Sequence, residues 1–385
     1  MPAVRLFNAF RNPAAPEPVR TRSKYAAIED LNVSTYTVPT DAAESDGTMV
    51  WDRTTIVIVT VKAGGQEGLG YTYADKATAS LIEEMLQPVV MGMDALSPAA
   101  AYTAMWRRIR NLGRPGICSM GISAVDCALW DLKARLLDLP LAVLLGYVRE
   151  GAPVYGSGGF TSYDDKQLAT QLGGWAREGI HAVKMKIGRD PDRDRHRVRV
   201  AREAIGPDVR LYVDANGAFT ARQALDQTDM LAEYNVRWFE EPVSSDNLHG
   251  LRFVRERAPA RMEIAAGEYG YKIFDFQNML AASAVDVLQA DVTRCGGVTA
   301  FMQVAALCQA NSVPLSSHTA PALHAHVACA AIPFTEMEYF HDHVRIERMF
   351  FDGLPEVIKG ILQPDFSRPG NGLVLRRSVA EKYAA

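Results

Sequence analysis

The chain has 385 residues, of which 48% are hydrophobic and 22% are charged, as in ordinary soluble globular proteins. This length is large for one compact core, so two domains are expected, although barrels can be larger. The formal net charge of −4 argues against a nucleic-acid-binding surface, which needs a basic face. No apolar run approaches the roughly 20 residues of a membrane-spanning helix, so a membrane partner is excluded as well.

Residues 1–150 indicate an α+β domain. The stretch TTIVIVTVKAGGQEGLGYTY (54–73) predicts two antiparallel strands joined by a Gly-Gly turn. Three segments with helical character follow, and Pro140 after the third suits the end of a helix. A polar segment, 34–53, precedes the hairpin, and we expect it to lie between the first strand region and that hairpin.

Eight short β-like runs recur beyond residue 150, about 20 to 30 residues apart, with helical periodicity between them. Strands that alternate with helices predict parallel βα units, and eight such units close into a barrel. We expect residues 151–350 to form a modified (β/α)8 TIM barrel of the α/β class, whose last unit lacks a full helix. Residues 1–150 would cap it, and the tail 351–385 would pack back on the cap. The runs are 153–157, 182–187, 210–216, 237–242, 263–268, 285–292, 313–318 and 334–340.

Single carboxylates end three successive runs: Asp214, Glu240 and Glu268. The carboxyl ends of barrel strands meet on the face that carries active sites. Three converging oxygen ligands suit Mg²⁺, and Mn²⁺ accepts the same ligands. The structural alternative is that these acids cap helices or form surface ion pairs. Glu241 is expected to point away from Glu240 and to play at most an indirect part.

Lys184 and Lys186 alternate with apolar residues on the second run, so they share one face of a strand. Next to a divalent cation and another ammonium group, the pKa of a lysine falls, and a partly neutral lysine can act as a general base. His318 ends the seventh run and could be a second base or an acid. Asp291 on the neighbouring strand could accept its ring N–H. The alternative for His318 is a buried histidine bonded to backbone groups.

A metal ion between two opposed bases fits removal of a proton next to a carboxylate, because the ion stabilises the enediolate that forms. This pattern resembles the mandelate racemase group of the enolase superfamily. The similarity covers nearly the whole chain, including the capping-domain stretch GISAVDCALWDLKARLLDLPLAVLLG. The matching barrel motifs, in chain order, are VKMKIG, VDANGAF, WFEEP, AAGE, QADVTRCGGVT, SSH and MEY.

The resemblance implies a capping domain, a modified barrel, and Mg²⁺ held by Asp214, Glu240 and Glu268. It also implies a catalytic or binding role for each of six further residues. These are Lys186 as one base, Lys184 at the substrate carboxylate, His318 with Asp291 as the second acid/base, Glu338 as a hydrogen-bond donor to the enediolate, and Asn216 in the pocket.

Two reactions are open to these residues. One is dehydration of an acid sugar (an aldonate or aldarate) to a 2-keto-3-deoxy acid. The other is racemisation or epimerisation of an α-hydroxy acid by proton transfer between two bases. The polar segment 34–53, with Tyr36 and Trp51 as substrate-binding residues, suits a hydroxylated chain and favours dehydration. We therefore expect a small-molecule carboxylate substrate.

A zinc barrel hydrolase is a remote alternative, based on the His-x-His pairs His324/His326 and His341/His343. The first pair is predicted on a helix, where residues two apart diverge, and the second in a loop. A non-catalytic scaffold would be expected to lack Lys186 or His318, and a nucleotide enzyme would need a Gly-rich strand–helix motif that the sequence lacks.

Five cysteines without a Cys-x-x-Cys pair indicate free thiols in a reducing compartment. The start MPAVRLFNAF lacks the apolar core of a secretory signal, so we predict a cytoplasmic protein. Barrels of this type commonly assemble, so a homo-oligomer is expected, although no surface patch identifies an interface.

Overall fold

The structure is a computed structural model that describes residues 26–385. The first part of the predicted capping domain and the start of the chain, on which the absence of a secretory signal was judged, lie outside the described residues. Five free cysteines, at positions 118, 127, 295, 308 and 329, are all buried. Among residues 26–385, no helix combines the length and the apolar character needed to cross a bilayer.

The capping region begins with an antiparallel sheet of three strands, β1 (Asp30–Ser45), β2 (Val50–Ala63) and β3 (Gln66–Tyr73). The β2–β3 hairpin agrees with the prediction, and its turn residues Gly64 and Gly65 both have positive φ. Segment 34–53 was placed wrongly: it is itself the end of a long β1–β2 hairpin. The β1–β2 pairing shifts register between Pro39 and Glu44, so β1 bulges just before the hairpin turn.

Helices cover the other part of the capping region. A short helix α1 (Lys76–Leu81) runs through a π-helical turn (Ile82–Leu86) into α2 (Gln87–Val90). Then come α3 (Pro98–Arg108), α4 (Ile117–Leu136) and α5 (Leu141–Leu145). Helix α4 is buried along most of its length and packs on β3. Gly68 and Gly70 permit this close approach, because a Cβ at either position would lie 2.3 Å from an α4 carbonyl oxygen.

Eight parallel strands, β4 to β11, form the barrel, which closes through pairing of β11 with β4. Each strand is followed by a helix, α6 to α13, so the expectation that the last unit lacks a full helix is wrong. The strands are Ala152–Gly158, Ala182–Lys186, Arg210–Asp214, Val236–Glu240, Glu263–Ala266, Val287–Ala290, Leu315–Ser317 and Phe334–Phe340. The helices are Asp165–Arg177, Pro191–Ile205, Ala221–Glu233, Leu248–Arg255, Ile273–Ala281, Gly297–Ala310, Pro321–Ala330 and His341–Phe350.

The register of neighbouring strands aligns the polar residues of the site. Lys186 on β5 pairs with Asp214 on β6, and Asp214 pairs with Glu240 on β7. Below this layer the barrel interior is filled by large buried side chains, among them Tyr155, Tyr212 and Trp238. Such a packed layer forms a solid floor, so the polar groups lie at the carboxyl ends of the strands.

The last part of the chain returns along the barrel to the capping sheet. It holds four short strands, β12 (Phe351–Asp352), β13 (Glu356–Ile358), β14 (Ile361–Gln363) and β15 (Val374–Leu375), and a short helix, α14 (Arg377–Ala380). Strand β14 pairs with β4 at the start of the barrel. Asn371 donates a hydrogen bond to the Leu69 carbonyl (2.9 Å), and the Ala385 amide donates to the Thr35 carbonyl (3.1 Å). These contacts join the tail to two strands of the capping sheet.

Candidate active site

Three buried carboxylates converge at the carboxyl ends of β6, β7 and β8. Asp214 and Glu240 are the last residues of β6 and β7, and Glu268 follows β8 by two residues. One oxygen of each carboxylate lies within 4.8 Å of one oxygen of the others. All three side chains are almost completely removed from solvent. Three buried negative charges at such distances repel each other strongly, so they need compensating positive charge.

The protein supplies hydrogen-bond donors to some oxygens of these carboxylates but not to all of them. Glu240 Oε2 accepts hydrogen bonds from Trp238 Nε1 and Gln289 Nε2, both at 2.9 Å. By contrast, Glu268 Oε2 is buried and has no hydrogen-bond partner among the described residues. An oxygen-only set of three carboxylates with an unpaired oxygen fits a hard divalent cation such as Mg²⁺.

Both lysines of β5 point into this group. Lys184 Nζ lies 2.5 Å from Glu240 Oε1 and 2.9 Å from Glu338 Oε1, and it is fully buried. Lys186 Nζ donates to Asp214 Oδ2. Two cations on one strand face are thus explained by acids on β6, β7 and β11.

The protein groups alone raise the pKa of both lysines, which is opposite to the fall expected from a bound cation. Burial by itself lowers the pKa of Lys186, but the charges of Asp214, Glu268 and Glu338 together outweigh burial and hold that pKa above its usual value. The carboxylates raise the pKa of Lys184 in the same way. The prediction assumed a bound cation, whose charge would oppose protonation. Without it, the carboxylates favour the ammonium form.

His318, which follows β10, lies against Asp291, which follows β9. His318 Nδ1 and Asp291 Oδ2 are 2.8 Å apart. Because an ionised carboxylate can only accept, Nδ1 carries the proton of this bond and Nε2 is left facing the carboxylates. Burial raises the pKa of Asp291, but the bond with His318 and the charge of Arg294 bring the net pKa below its usual value. The geometry orients the ring so that Nε2 can accept or donate a proton.

Glu338 on β11 is bound from several sides. Its Oε1 accepts from Ser157 Oγ at 2.6 Å, and its Oε2 accepts from the Thr319 amide at 2.8 Å. Burial raises its pKa, but Lys184 and His318 more than offset burial, so the net pKa lies below the usual value. A role as hydrogen-bond donor would require a proton on Glu338, which the positive charges beside it disfavour.

A small cavity of about 170 Å³ opens above these groups. Three of its lining residues come from the β1–β2 hairpin: Asp46, Trp51 and Thr54. Lys184, Asp214 and Glu240 lie deeper and are not part of its wall. Of the residues predicted from the sequence, the barrel contributes Lys186, Asn216, Glu268, His318 and Glu338 to the lining.

Trp51 therefore lies where a substrate-binding residue was predicted, but Tyr36 does not. Tyr36 is almost fully buried, its hydroxyl bonds to Glu381 at 3.1 Å, and its ring packs on the edge of Phe350 at 5.5 Å. It ties β1 to the tail, so its assignment to substrate binding is wrong. The bulge in β1 after Pro39 separates the strand that carries Tyr36 from the part that reaches the cavity.

One residue of the site, Arg294, was missed, and the structure adds detail on a second, Glu241. Arg294 lines the cavity, 3.5 Å from Asp291 Oδ2 and 3.8 Å from Glu268 Oε1, and it thus links a predicted ligand with the partner of His318. Its position three residues after Asp291 was the available signal. Glu241 has a φ of +38°, so the chain turns there. Its side chain is buried, Oε1 has no hydrogen-bond partner among the described residues, and burial with the charges of Glu268 and Asp214 raises its pKa well above the usual value.

The histidine pairs do not form a zinc centre of the hydrolase type. His324 and His326 are buried on α12, and each bonds through both ring nitrogens to backbone groups. His341 and His343 lie in the first turn of α13 and not in a loop, and the ring of His343 stacks on Tyr73. The four rings have separate partners.

Comparison with protein families gives two matches. Residues 33–146 match the mandelate racemase / muconate lactonizing enzyme N-terminal domain, and residues 167–379 match the enolase C-terminal domain-like family. The chain belongs to the mandelate racemase group of the enolase superfamily. Members of this group that resemble the chain are named as dehydratases, cycloisomerases and racemases, so the chain belongs to a family of enzymes.

Individual relatives extend this similarity over most of the chain. A 3,6-anhydro-alpha-L-galactonate cycloisomerase of Streptomyces coelicolor is 35% identical, covering 90% of this chain and 97% of that protein. An arabinonate dehydratase of Saccharolobus solfataricus is 31% identical, covering 83% and 87%. Among solved structures, a mandelate racemase/muconate lactonizing enzyme-like protein from Rubrobacter xylanophilus is 52% identical, with a TM-score of 0.92 and coverage of 93% and 100%. A racemase from Streptomyces coelicolor A3(2) with bound magnesium is 32% identical, with a TM-score of 0.87 and coverage of 93% and 100%.

Proposed function

We propose that the chain is a Mg²⁺-dependent dehydratase that converts a small acid sugar to a 2-keto-3-deoxy acid. The observation that carries this proposal is that Lys186 and His318, which come from strands on opposite sides of the barrel, line one small cavity together with Glu268. A carboxylate substrate in this cavity would have a proton-accepting group near each face of its α-carbon.

Mg²⁺ would be held by Asp214, Glu240 and Glu268, and its charge would stabilise the enediolate oxygens of the deprotonated substrate. Mn²⁺ would fit the same ligands. When Asp214 serves as a ligand, its charge no longer favours the ammonium form of Lys186 to the same degree. Lys186 can then be neutral and accept a proton.

In the proposed reaction Lys186 Nζ removes the proton from the carbon next to the carboxylate. The electron pair left on that carbon forms a double bond to the β-carbon, and the bond from the β-carbon to its hydroxyl breaks. His318 Nε2 donates the proton with which the hydroxyl leaves as water. The enol then becomes the keto acid. For a substrate of the opposite α-configuration, the two groups exchange roles.

The β1–β2 hairpin supports a hydroxylated substrate. It contributes Asp46, Trp51 and Thr54 to the cavity wall. Trp51 Nε1 already donates to Glu44 and Thr54 Oγ1 to Asp342, so Asp46 is the hairpin residue that would meet a substrate hydroxyl. An arabinonate dehydratase among the relatives acts on an acid of this kind, as its name states.

Two related reactions are second candidates. The 35% identity to a cycloisomerase supports elimination in which the leaving oxygen belongs to a cyclic ether, so that no water is lost. The similarity to a racemase supports return of the proton to the opposite face of the α-carbon without elimination. All three reactions begin with the same proton abstraction.

A substrate screen in D₂O with Mg²⁺ separates these reactions. The panel contains aldonates, aldarates, 3,6-anhydro-aldonates and simple α-hydroxy acids, and each product is followed by NMR and by mass. A keto acid lighter than its substrate by one water supports dehydration, and one of equal mass supports cycloisomerisation. Deuterium at the α-carbon without keto acid supports racemisation. If no acid either forms a keto acid or exchanges its α-proton although Mg²⁺ binds, the proposed function is wrong.

A further inference from the structure

A second group of ligand-type side chains lies where the capping hairpin meets the start of α13. Asp41 and Glu44 belong to the bulged part of β1, and His341 is the first residue of α13. One carboxylate oxygen of each acid and one ring nitrogen of His341 lie within 4.8 Å of one another. This group shares no residue with the three carboxylates of the candidate active site.

Glu44 distinguishes this group from an ordinary surface ion pair. Its side chain is completely buried, and Oε2 accepts a hydrogen bond from Trp51 Nε1 at 2.7 Å. In the part of the chain that the structure describes, its Oε1 has no hydrogen-bond partner. A buried carboxylate oxygen without a partner is costly, so an additional ligand at this position would stabilise the fold.

The simplest alternative is that His341 and Asp41, 2.9 Å apart and partly exposed, form only a surface pair. Such a pair exists elsewhere, between His196 and Asp165 at 2.7 Å, and no third ligand is grouped with it among residues 26–385. The group at the hairpin differs because a buried carboxylate with a free oxygen accompanies the pair.

We propose that Asp41, Glu44 and His341 form a second metal site, which binds a Zn²⁺-type transition-metal ion. One imidazole nitrogen and two carboxylate oxygens suit Zn²⁺, and Mn²⁺ less strongly, whereas Mg²⁺ prefers oxygen ligands alone. The Asp41 side chain is 45% exposed, so the solvent side leaves room for water as a fourth ligand.

An ion at this place would hold the hairpin against the barrel beside the catalytic cavity. Trp51, which is bonded to Glu44, and Phe340, which precedes His341, both line that cavity. Both rings also contact the edge or face of Phe160, with centroid separations of 5.6 and 5.7 Å. The three ligands would therefore be positioning residues for one wall of the cavity and would not touch the substrate.

The test is calorimetric titration of Zn²⁺ into the full chain. The protein is first freed of metal with a chelator and then kept in excess Mg²⁺, which fills the three-carboxylate site. We expect one equivalent of Zn²⁺ to bind to the wild type. His341→Gln and Glu44→Gln should weaken this binding by about 10-fold or more, because each removes one of three ligands. His196→Gln, which breaks the similar surface pair, should bind Zn²⁺ like the wild type.

Thermal melting gives a second readout. Zn²⁺ should raise the melting temperature of the wild type and of His196→Gln but not that of His341→Gln. If a buried-site variant does not fold, Asp41→Asn replaces it, since Asp41 is exposed. Absence of Zn²⁺ binding in the wild type overturns the proposal. The proposal is also overturned if His341→Gln binds Zn²⁺ as the wild type does, because the ion would then lie in the three-carboxylate site. Neither outcome bears on dehydration, which is tested with Mg²⁺ alone.

Discussion

Lys186 and His318 enter the cavity from strands on opposite sides of the barrel, so each should exchange the α-proton from one face of the substrate. Lys186→Met should abolish exchange from its face, with a fall on the order of 10²–10⁴-fold, because no other base is placed there. His318→Asn should do the same for the opposite face. Deuterium incorporation into each configuration of the substrate, followed by NMR, measures both rates. Lys62→Met, at a half-exposed lysine, is the control and should leave both rates unchanged.

If Lys186→Met and His318→Asn slowed exchange equally in both configurations, the assignment of one base to each face would fail. Circular dichroism and Mg²⁺ binding of each variant exclude loss of the fold as the cause. Mg²⁺ binding is informative here, because Lys186 contacts the ligand Asp214.

Asp291 acts through His318 and is a positioning residue. Its Oδ2 receives the Nδ1 proton of His318, and its Oδ1 accepts from the Thr293 amide and hydroxyl, both at 2.7 Å. In Asp291→Asn the side-chain amide can present N–H to Nδ1, which would move the ring proton to Nε2 and block the base. We expect kcat to fall by about 10²-fold or more with little change in KM. Asp165→Asn, which alters an exposed His–Asp pair, is the matched control, and equal kcat in both variants would contradict the role of Asp291.

At the level of elements, the link between β8 and the ligand Glu268 depends on Gly267. This residue has a φ of +138°, and a Cβ there would lie 2.1 Å from the Gln289 carbonyl oxygen. Gly267→Ala should push β8 away from β9 and displace Glu268, so that Mg²⁺ affinity falls by about 10-fold or more. Titration calorimetry with Mg²⁺ measures the effect.

Gly206→Ala is the control that separates the effect of the Cβ clash at Gly267 from the effect of backbone strain alone. Gly206 also has a positive φ, +76°, but a Cβ there has no atom within 4 Å. Both substitutions cost on the order of 1 kcal/mol through backbone conformation. Only Gly267→Ala should change Mg²⁺ binding, and equal affinities for the two variants would show that the close approach to Gln289 is unimportant.

The strands and most of the site follow from the sequence because polar residues interrupt apolar runs where barrel strands end. Lys186, Asp214 and Glu240 are adjacent in register, as their places at the ends of successive runs require. Local irregularities were not predictable in this way. The bulge in β1 decides that Trp51 and not Tyr36 reaches the cavity, and the positive φ of Glu241 turns the chain directly after the ligand Glu240. Alternation along a strand cannot reveal either feature.

At the level of the whole molecule, His326 joins three parts of the chain. It lies on α12 of the barrel, its Nδ1 accepts from the Ala142 amide at 3.2 Å, and its Nε2 donates to the Asn371 carbonyl in the tail at 3.1 Å. Burial lowers its pKa to about 4. The unfolded chain takes up a proton near the usual pKa of about 6.5, while the folded chain resists, so acid favours unfolding.

The stability that the neutral, buried form of His326 gives to the fold is fully present above pH 6.5 and is lost as the pH falls towards 4. Between pH 7.5 and pH 5 this loss should lower the free energy of unfolding by about 2 kcal/mol. His326→Asn should be less stable at pH 7.5 but should lose stability less steeply in acid. Urea unfolding at both pH values measures the difference, with the exposed His249→Asn as control. An unchanged acid dependence in His326→Asn would contradict the prediction.

The order in which the chain is synthesised gives the tail contacts a further meaning. The capping sheet leaves the ribosome well before its partners Asn371 and Ala385 in the tail. Leu69 can therefore pair with Asn371 only after 302 further residues have been made, so the eight βα units can assemble while the cap is still incompletely attached. The hairpin wall of the catalytic cavity belongs to this cap. Closure of the active site is therefore expected to be a late event in folding, completed after the barrel itself has formed.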